Sequence, residues 1–395
     1  MKWASAISTE VDLDLAFVAL KRDLQTGLDG AGIDLLFAFL SPGYESRWGD
    51  LPQLVRDHLR PGTFLGCTAI GVLGDGREFE HHVSGQPAVA VTAASLPNVD
   101  IVPFHLEPED IPDADAPPDR WIEALEVPPD RPAHFVLLAD PYFDPQPLLM
   151  GLDFAYAGSV KVGGIASLQG DNALFLDGQI YDSGLVGICL QGDVSMDPIV
   201  AQGCRPVGET HTITRCEQNI LAELDDRPAV EVLTEMYQGL SPEDQQLAAR
   251  ALHLGIASTE IQTEFAHGDF LIRNLVHIEH KNGLIAVGAL LRQGQTVQFH
   301  LRDAGTAVED LQLMLSRYAD RPLSTRPAGG LLFTCNGRGQ LFFGQPNHDS
   351  QRFEDVMGEV PLTGFFCGGE IGPVGTDTHL HGYTSAFAVF RPETS

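Results

Sequence analysis

Basic residues are scarce in this chain. Of its 395 residues, 24 are lysine or arginine against 54 aspartate or glutamate, a formal charge of −30. A field of that sign repels a phosphate backbone, so nucleic acid is excluded as a partner. Cysteines are few as well. Cys67, Cys189, Cys204, Cys216, Cys335 and Cys367 stand apart with no CxxC pair, which argues against a disulfide framework or a zinc knuckle and for reduced thiols. No apolar run reaches the ~18 to 20 residues of a membrane span. The opening MKWASAIST also lacks the apolar stretch of a signal peptide. A soluble, cytoplasmic chain without membrane insertion is expected. GxSxG, a Walker A lysine and a strand–GxGxxG–helix arrangement are missing too, so serine hydrolysis and nucleotide binding have no local support, and no cofactor is implied. The acidity itself reads as a source of solubility rather than as a functional surface.

What is present is ordinary globular chemistry, 44% hydrophobic and 20% charged, at a length that predicts two domains. One pattern recurs. The stretch GCTAIGVLGDGREFEHHVSGQPAVAVTA from Gly66 aligns without a gap with GFFCGGEIGPVGTDTHLHGYTSAFAVFR from Gly364. Gly66, Gly71 and Gly74 share their spacing with Gly364, Gly369 and Gly372, and an alternating strand follows at Ala88 and at Ala386. A weaker third copy starts at Gly164, with its last strand at Val186. Each copy is preceded by an apolar run, at residues 35–40, 134–139 and 330–335, as expected of a strand covered on both faces. Residues 51–60 place Leu51, Leu54, Val55 and Leu59 on one helical face.

The unit therefore reads as strand, helix, then two or three strands. The class expected is α/β (α+β mixed): two lobes of repeated strand–helix–strand–strand units, mixed sheets inside and helices outside. The acidic, proline-rich residues 107–119 read as a surface loop. Residues 208–327 differ in character, with helices expected at 222–236, 244–254 and 306–318 and strands at 270–279, 284–291 and 296–303. Lys281, Asn282 and Gly283 suit a hairpin turn. The domains expected are an N-terminal extension at 1–29, a first domain at 30–205 and a second at 206–395.

Residues 331–339, LLFTCNGRG, followed by GFFCGGEIGP from Gly364 and an alternating last strand, resemble the closing part of the FIST C domain. GCTAIGV from Gly66 with the strand at Ala88 resembles the core of the FIST N domain, although this chain carries Thr68 and Val72 where many members have serine and glutamate. The likeness covers roughly residues 30–392, so that 30–205 is FIST N-like and 206–395 FIST C-like. It implies a non-enzymatic sensory module of signal transduction, one that binds a small ligand such as an amino acid and relays to a separate signalling protein. No F-box, kinase or receiver segment fits beside the two lobes.

The residues that suit this chemistry are Cys335, Asn336, Arg338 and Gly339 in one turn, with Gly368, Gly369 and Glu370 in the next. A glycine-flanked turn exposes backbone N–H groups, Arg338 can take a ligand carboxylate bidentately, and Glu370 can take an ammonium. Cys67 and Thr68, in the first copy, complete the candidate site. The alternative for Arg338 and Glu370 is a structural ion pair between strand ends. The repeated glycines read as bends or close backbone approaches. His81 and His82 match His379 and His381 in position, but no carboxylate or thiol at a supporting spacing makes them a metal site. Two other classes stay open: a scaffold that holds a partner protein with no small ligand, and an enzyme using Cys335 as nucleophile with a histidine base.

Overall fold

The computed structural model describes residues 1–393 apart from 114, 169, 171, 259–264, 266 and 267. The chain divides into two compact units, Met1–Val200 with Met314–Ser395, and Ala201–Leu313. Residues 314–395, which the sequence pattern groups with 206–313, thus cluster with the N-terminal half.

In the first unit one order of elements occurs three times. The first stretch runs β1 (Lys2–Ser8), α1 (Leu13–Leu28), β2 (Leu35–Leu40), α2 (Leu51–His58), β3 (Thr63–Thr68), a hairpin of β4 (Gly71–Gly74) and β5 (Arg77–Glu80), the short α3 (His81–Ser84), and β6 (Val89–Ser95). The second runs β7 (Val99–Leu106), α4 (Pro118–Leu125), β8 (His134–Ala139), α5 (Gln146–Ala155), β9 (Val160–Ile165), the hairpin β10 (Leu174–Leu176) and β11 (Gln179–Tyr181), and β12 (Leu185–Gly192). The third opens with β13 (Val194–Ala201), after which the chain enters the second unit.

That second unit contains β14 (Arg205–Glu217), β15 (Ile220–Leu224), β16 (Arg227–Pro228), α6 (Ala229–Gly239), α7 (Pro242–Ala251), β17 (Leu252–Ala257), β18 (Phe270–Glu279), β19 (Leu284–Val287) and β20 (Thr296–Leu301). The strands follow the order β14-β20-β17-β18-β19-β15, and β15 pairs back onto β14, closing a barrel. Leu254, Ile285, Val297 and Phe299 belong to its core. Residues 222–224, expected as helix, are strand, because β15 pairs with both β14 and β19. The helix starts only after Pro228, whose ring suits the position before a first turn and breaks an interior one.

The third stretch then resumes with α8 (Ala304–Ala319), β21 (Gly329–Cys335), α9 (Gln340–Phe343), α10 (His348–Met357), β22 (Leu362–Cys367), the hairpin β23 (Gly369–Val374) and β24 (Asp377–His381), and β25 (Ser385–Pro392).

Each stretch nucleates a six-stranded sheet that it does not finish. The orders are β1-β6-β2-β3-β10-β11, β7-β12-β8-β9-β23-β24 and β13-β25-β21-β22-β4-β5. In each, the last two places are taken by a hairpin from another stretch. The first stretch receives from the second, the second from the third, and the third from the first, so the three are interlocked in a cycle.

Local sequence explains the elements. In α1, Asp12 caps the first turn by accepting from the N–H groups of Asp14 and Leu15, and Leu13, Ala16, Phe17, Leu20, Leu24 and Leu28 form the buried stripe. β2 is buried at every position. Its Leu35, Phe37 and Phe39 join a central core with Val136, Leu138, Leu331 and Phe333, while Leu36, Ala38 and Leu40 pack with the residues of α1. Burial on both faces is what the unbroken apolar run encodes. The glycines have a backbone reason. A Cβ on Gly66, Gly163 or Gly364 would lie 2.1, 1.9 or 1.7 Å from the carbonyl oxygen of Ala38, Leu137 or Leu332 on the neighbouring parallel strand. In the second stretch Gly163, rather than Gly164, therefore makes the close approach.

Candidate functional site

β21 and β22 are parallel, with Cys335 opposite Cys367. The C-terminal ends of such strands are where open α/β sheets place ligands. Beyond Cys335 the chain turns sharply: Asn336 N–H donates to Cys367 O at 3.0 Å, and Arg338 N–H donates back to Cys335 O at 2.9 Å. Gly339 then leads into α9. A side chain there would have to displace the Glu80 carboxylate, since a Cβ would lie 1.8 Å from Glu80 Oε2, and Glu80 Oε1 accepts the Gln340 N–H at 2.6 Å.

Arg338 turns inward and its side chain is fully buried. Its Nε and Nη2 donate to Asp349 at 2.9 and 3.0 Å, Nη1 reaches Tyr383 O at 3.5 Å, and the guanidinium lies 5.2 Å from the centre of the Phe343 ring. Asp349, buried at the start of α10, also accepts from Thr334 Oγ1 at 2.8 Å, from Ser385 Oγ, and from His348 Nδ1 at 2.8 Å. Burial alone would raise its pKa, but the Arg338 charge and the hydrogen bonds from His348 and Arg338 hold the carboxyl well below the usual range. Nearby, Ser350 N–H donates to Glu78 Oε1 at 2.8 Å. Burial, then the Asp349 charge and the Glu80 charge, push Glu78 up to about 8 against that hydrogen bond. A bidentate arginine–aspartate pair thus anchors a cluster to which the β4–β5 hairpin contributes two further carboxylates.

Glu370 does not pair with Arg338. It is wholly buried on β23, and its Oε2 accepts the Thr384 N–H at 3.1 Å. The two charged groups instead meet consecutive residues, Arg338 at Tyr383 and Glu370 at Thr384. Gly368 and Gly369 serve the hairpin exchange: Gly368 N–H donates to Ile165 O at 2.9 Å, and Gly369 sits opposite Ile165. Thr68 does the same for the first sheet, its Oγ1 accepting the Ala173 N–H at 2.9 Å. Cys67 is buried on β3. Burial pushes the Cys367 thiol up, and Glu370, Cys67 and Cys335 add to the effect, so these four groups share one neighbourhood. Burial raises Cys67 likewise. Of the paired histidines, His381 bonds the carbonyl of Gly372 through Nε2 at 3.0 Å. Among the described residues no group of three or more histidine, cysteine, aspartate or glutamate side chains is arranged to hold a metal ion.

Asp349, His348, Thr334, Ser385, Glu78 and Glu80 were not legible as site residues. The available signal was a polar triplet, His348–Ser350, at the head of a helix whose next apolar residue is Phe353; all four are buried.

The FIST N domain model matches residues 34–227 and the FIST C domain model residues 229–373. The chain belongs to the FIST family. FIST domains are in general sensory modules of signal transduction. An uncharacterised protein of Mycobacterium tuberculosis H37Rv is 37% identical over 396 residues, covering 99% of this FIST chain and 100% of its own. One from Mycobacterium bovis is 34% identical, covering 99% of each. A cyanuric acid hydrolase from A. caulinodans aligns over 100% of both chains at 9% identity with a TM-score of 0.34, too distant to inform the chemistry. Within this FIST protein, the FIST C span supplies Arg338, Asp349 and Glu370, and the FIST N span supplies Glu78, Glu80, Cys67 and Thr68. No described helix is long and apolar enough to cross a membrane.

Proposed function

We propose that this protein is a non-enzymatic sensory module that binds a small zwitterionic ligand, such as an amino acid, at the C-terminal ends of β21 and β22 and relays its presence to a separate signalling protein. The observation that carries the reading is the convergence of a buried guanidinium and a buried carboxylate, Arg338 and Glu370, on the adjacent residues Tyr383 and Thr384. A ligand carboxylate competing with Asp349 for Arg338, together with an ammonium at Glu370, would act on one short segment. Tyr383 holds φ 67°, in a left-handed region that non-glycine residues occupy at a cost, so the segment has a lower-energy backbone available to it. Signalling then requires only that the ligand favour one arrangement over the other. Cys67 and Cys367 suit a packing role rather than catalysis, because burial raises both thiols, the reverse of what a nucleophile needs.

The test is a thermal-shift screen of amino acids and related zwitterions. A raised melting temperature is expected with at least one, and the rise should vanish in Glu370→Gln and shrink in Arg338→Lys, with circular dichroism confirming that both fold. A screen in which nothing shifts the transition, or a shift that both variants keep, would refute the proposal.

A further inference from the structure

A groove of about 580 Å³ lies beside β1, walled by α1 on one side and by α10 and the start of β22 on the other. Its apolar lining comes from Trp3, Phe353, Pro361 and Leu362, and its acidic residues are Asp23, Asp75, Glu354 and Glu359. No lysine or arginine lines it. Two of the carboxylates have cations at hand, Asp23 with Arg22 at 2.9 Å and Asp75 with Arg77 at 3.8 Å. Glu354 and Glu359 are exposed and, among the described residues, have no ion-pair partner.

A buried polar atom belongs to the same lining. Trp3 is 5% exposed, yet its Nε1 has no hydrogen-bond partner among the described residues. Buried polar groups are ordinarily satisfied, and an orphan in the groove marks a place where a partner is missing. The chemistry restricts the occupant. An indole N–H only donates, so the occupant must bring an acceptor; free carboxylates require a cation. A simple amine has the cation without the acceptor. An extended peptide with lysine or arginine has both: a backbone carbonyl for Trp3, ammonium or guanidinium groups for Glu354 and Glu359, and alkyl stems to lie on the apolar lining. β1 is moreover the outer strand of its sheet, the kind of edge along which an extended segment can run. A chain of net charge −30 also draws cationic partners toward it.

We propose that this groove docks a basic, extended peptide segment of a partner protein. The reading does not rest on a small ligand at Arg338, and its test uses neither Arg338 nor Glu370. Fluorescence anisotropy of a short labelled peptide of alternating lysine and leucine, titrated with the full chain, measures the interaction. Binding is expected to weaken about tenfold in Glu354→Gln/Glu359→Gln and about fivefold in Trp3→Phe, which keeps an aromatic side chain but removes the N–H donor. Removing two charges from a distant loop, Glu109→Gln/Asp113→Asn, should change it less than about twofold, which separates the groove from the overall field. Equal binding of a glutamate–leucine peptide would overturn the proposal, as would a full effect from the loop variant. So would displacement by spermidine combined with an unchanged affinity in Trp3→Phe, which would mark a site for simple amines.

Discussion

Replacing Asp349 with alanine tests the central node most directly. The substitution strands the Arg338 guanidinium, whose side chain is fully buried and which now donates twice to that carboxylate. Breaking a buried pair by removing one partner costs about 3–5 kcal/mol, because an uncompensated charge stays behind. Thr334, Ser385 and His348 lose an acceptor as well. Since all of them share one carboxylate, their losses do not add to that figure in full. A destabilisation of about 3–5 kcal/mol is therefore expected. The assay is favoured by the sequence: Trp3, Trp48 and Trp121, the chain's 3 tryptophans, all fall within Met1–Val200. Tryptophan fluorescence during guanidinium unfolding thus reports the first unit alone, without assuming that both units unfold together. The double variant Arg338→Met/Asp349→Leu removes both charges and should recover to within about 2 kcal/mol of the parent. A single variant within about 0.5 kcal/mol of the parent would refute the reasoning, since ordinary surface substitutions do no more. A double variant as unstable as the sum of the two singles would do the same.

Two further outcomes follow from the same geometry. Glu78 is raised from 4.5 to about 8 in the folded chain; the folded state therefore keeps a proton that the unfolded chain releases, and stability should fall as pH rises from about 4.5 to about 8. Glu78→Gln should flatten that slope, which is on the order of 1 kcal/mol per pH unit at most, in fluorescence-monitored unfolding at several pH values; an unchanged slope contradicts the assignment. Gly364→Ala would place a Cβ 1.7 Å from Leu332 O and should destabilise the first unit by about 1–3 kcal/mol in the same assay. Gly49→Ala, with nothing within 4 Å, is the matched control and should stay within about 0.5 kcal/mol.

Strand and helix were legible where burial and period coincide. β2 reads as covered on both faces because it is, and the regular spacing of Gly66 and Gly364 registers a backbone carbonyl pressing on each. The third such glycine was misplaced by one residue because Gly163 and Gly164 are adjacent, and only strand register distinguishes them. The exchange of hairpins was illegible for a deeper reason. Nothing local in β4, β10 or β23 states which β3-like strand each will join, since β3, β9 and β22 are alike in being largely buried. That choice is made by the closed cycle as a whole, in which each sheet is completed only when its neighbour has been.

The same logic explains why the alternative of an ion pair between Arg338 and Glu370 differs from the pair that the fold makes. Motif proximity suggests Glu370, six residues after Gly364, whereas the carboxylate that holds Arg338 bidentately is Asp349, carried in from the head of α10. Arg338 does not float between the two. Asp349 holds it bidentately, with Thr334, Ser385 and His348 fixing the acceptor, and Ser350 ties the next residue to Glu78 of an exchanged hairpin. Any ligand that draws on Arg338 must therefore compete with a charge pair wired to two stretches at once. Displacing that pair would reach β5 and α10 together, and these lie in the FIST N and FIST C spans respectively.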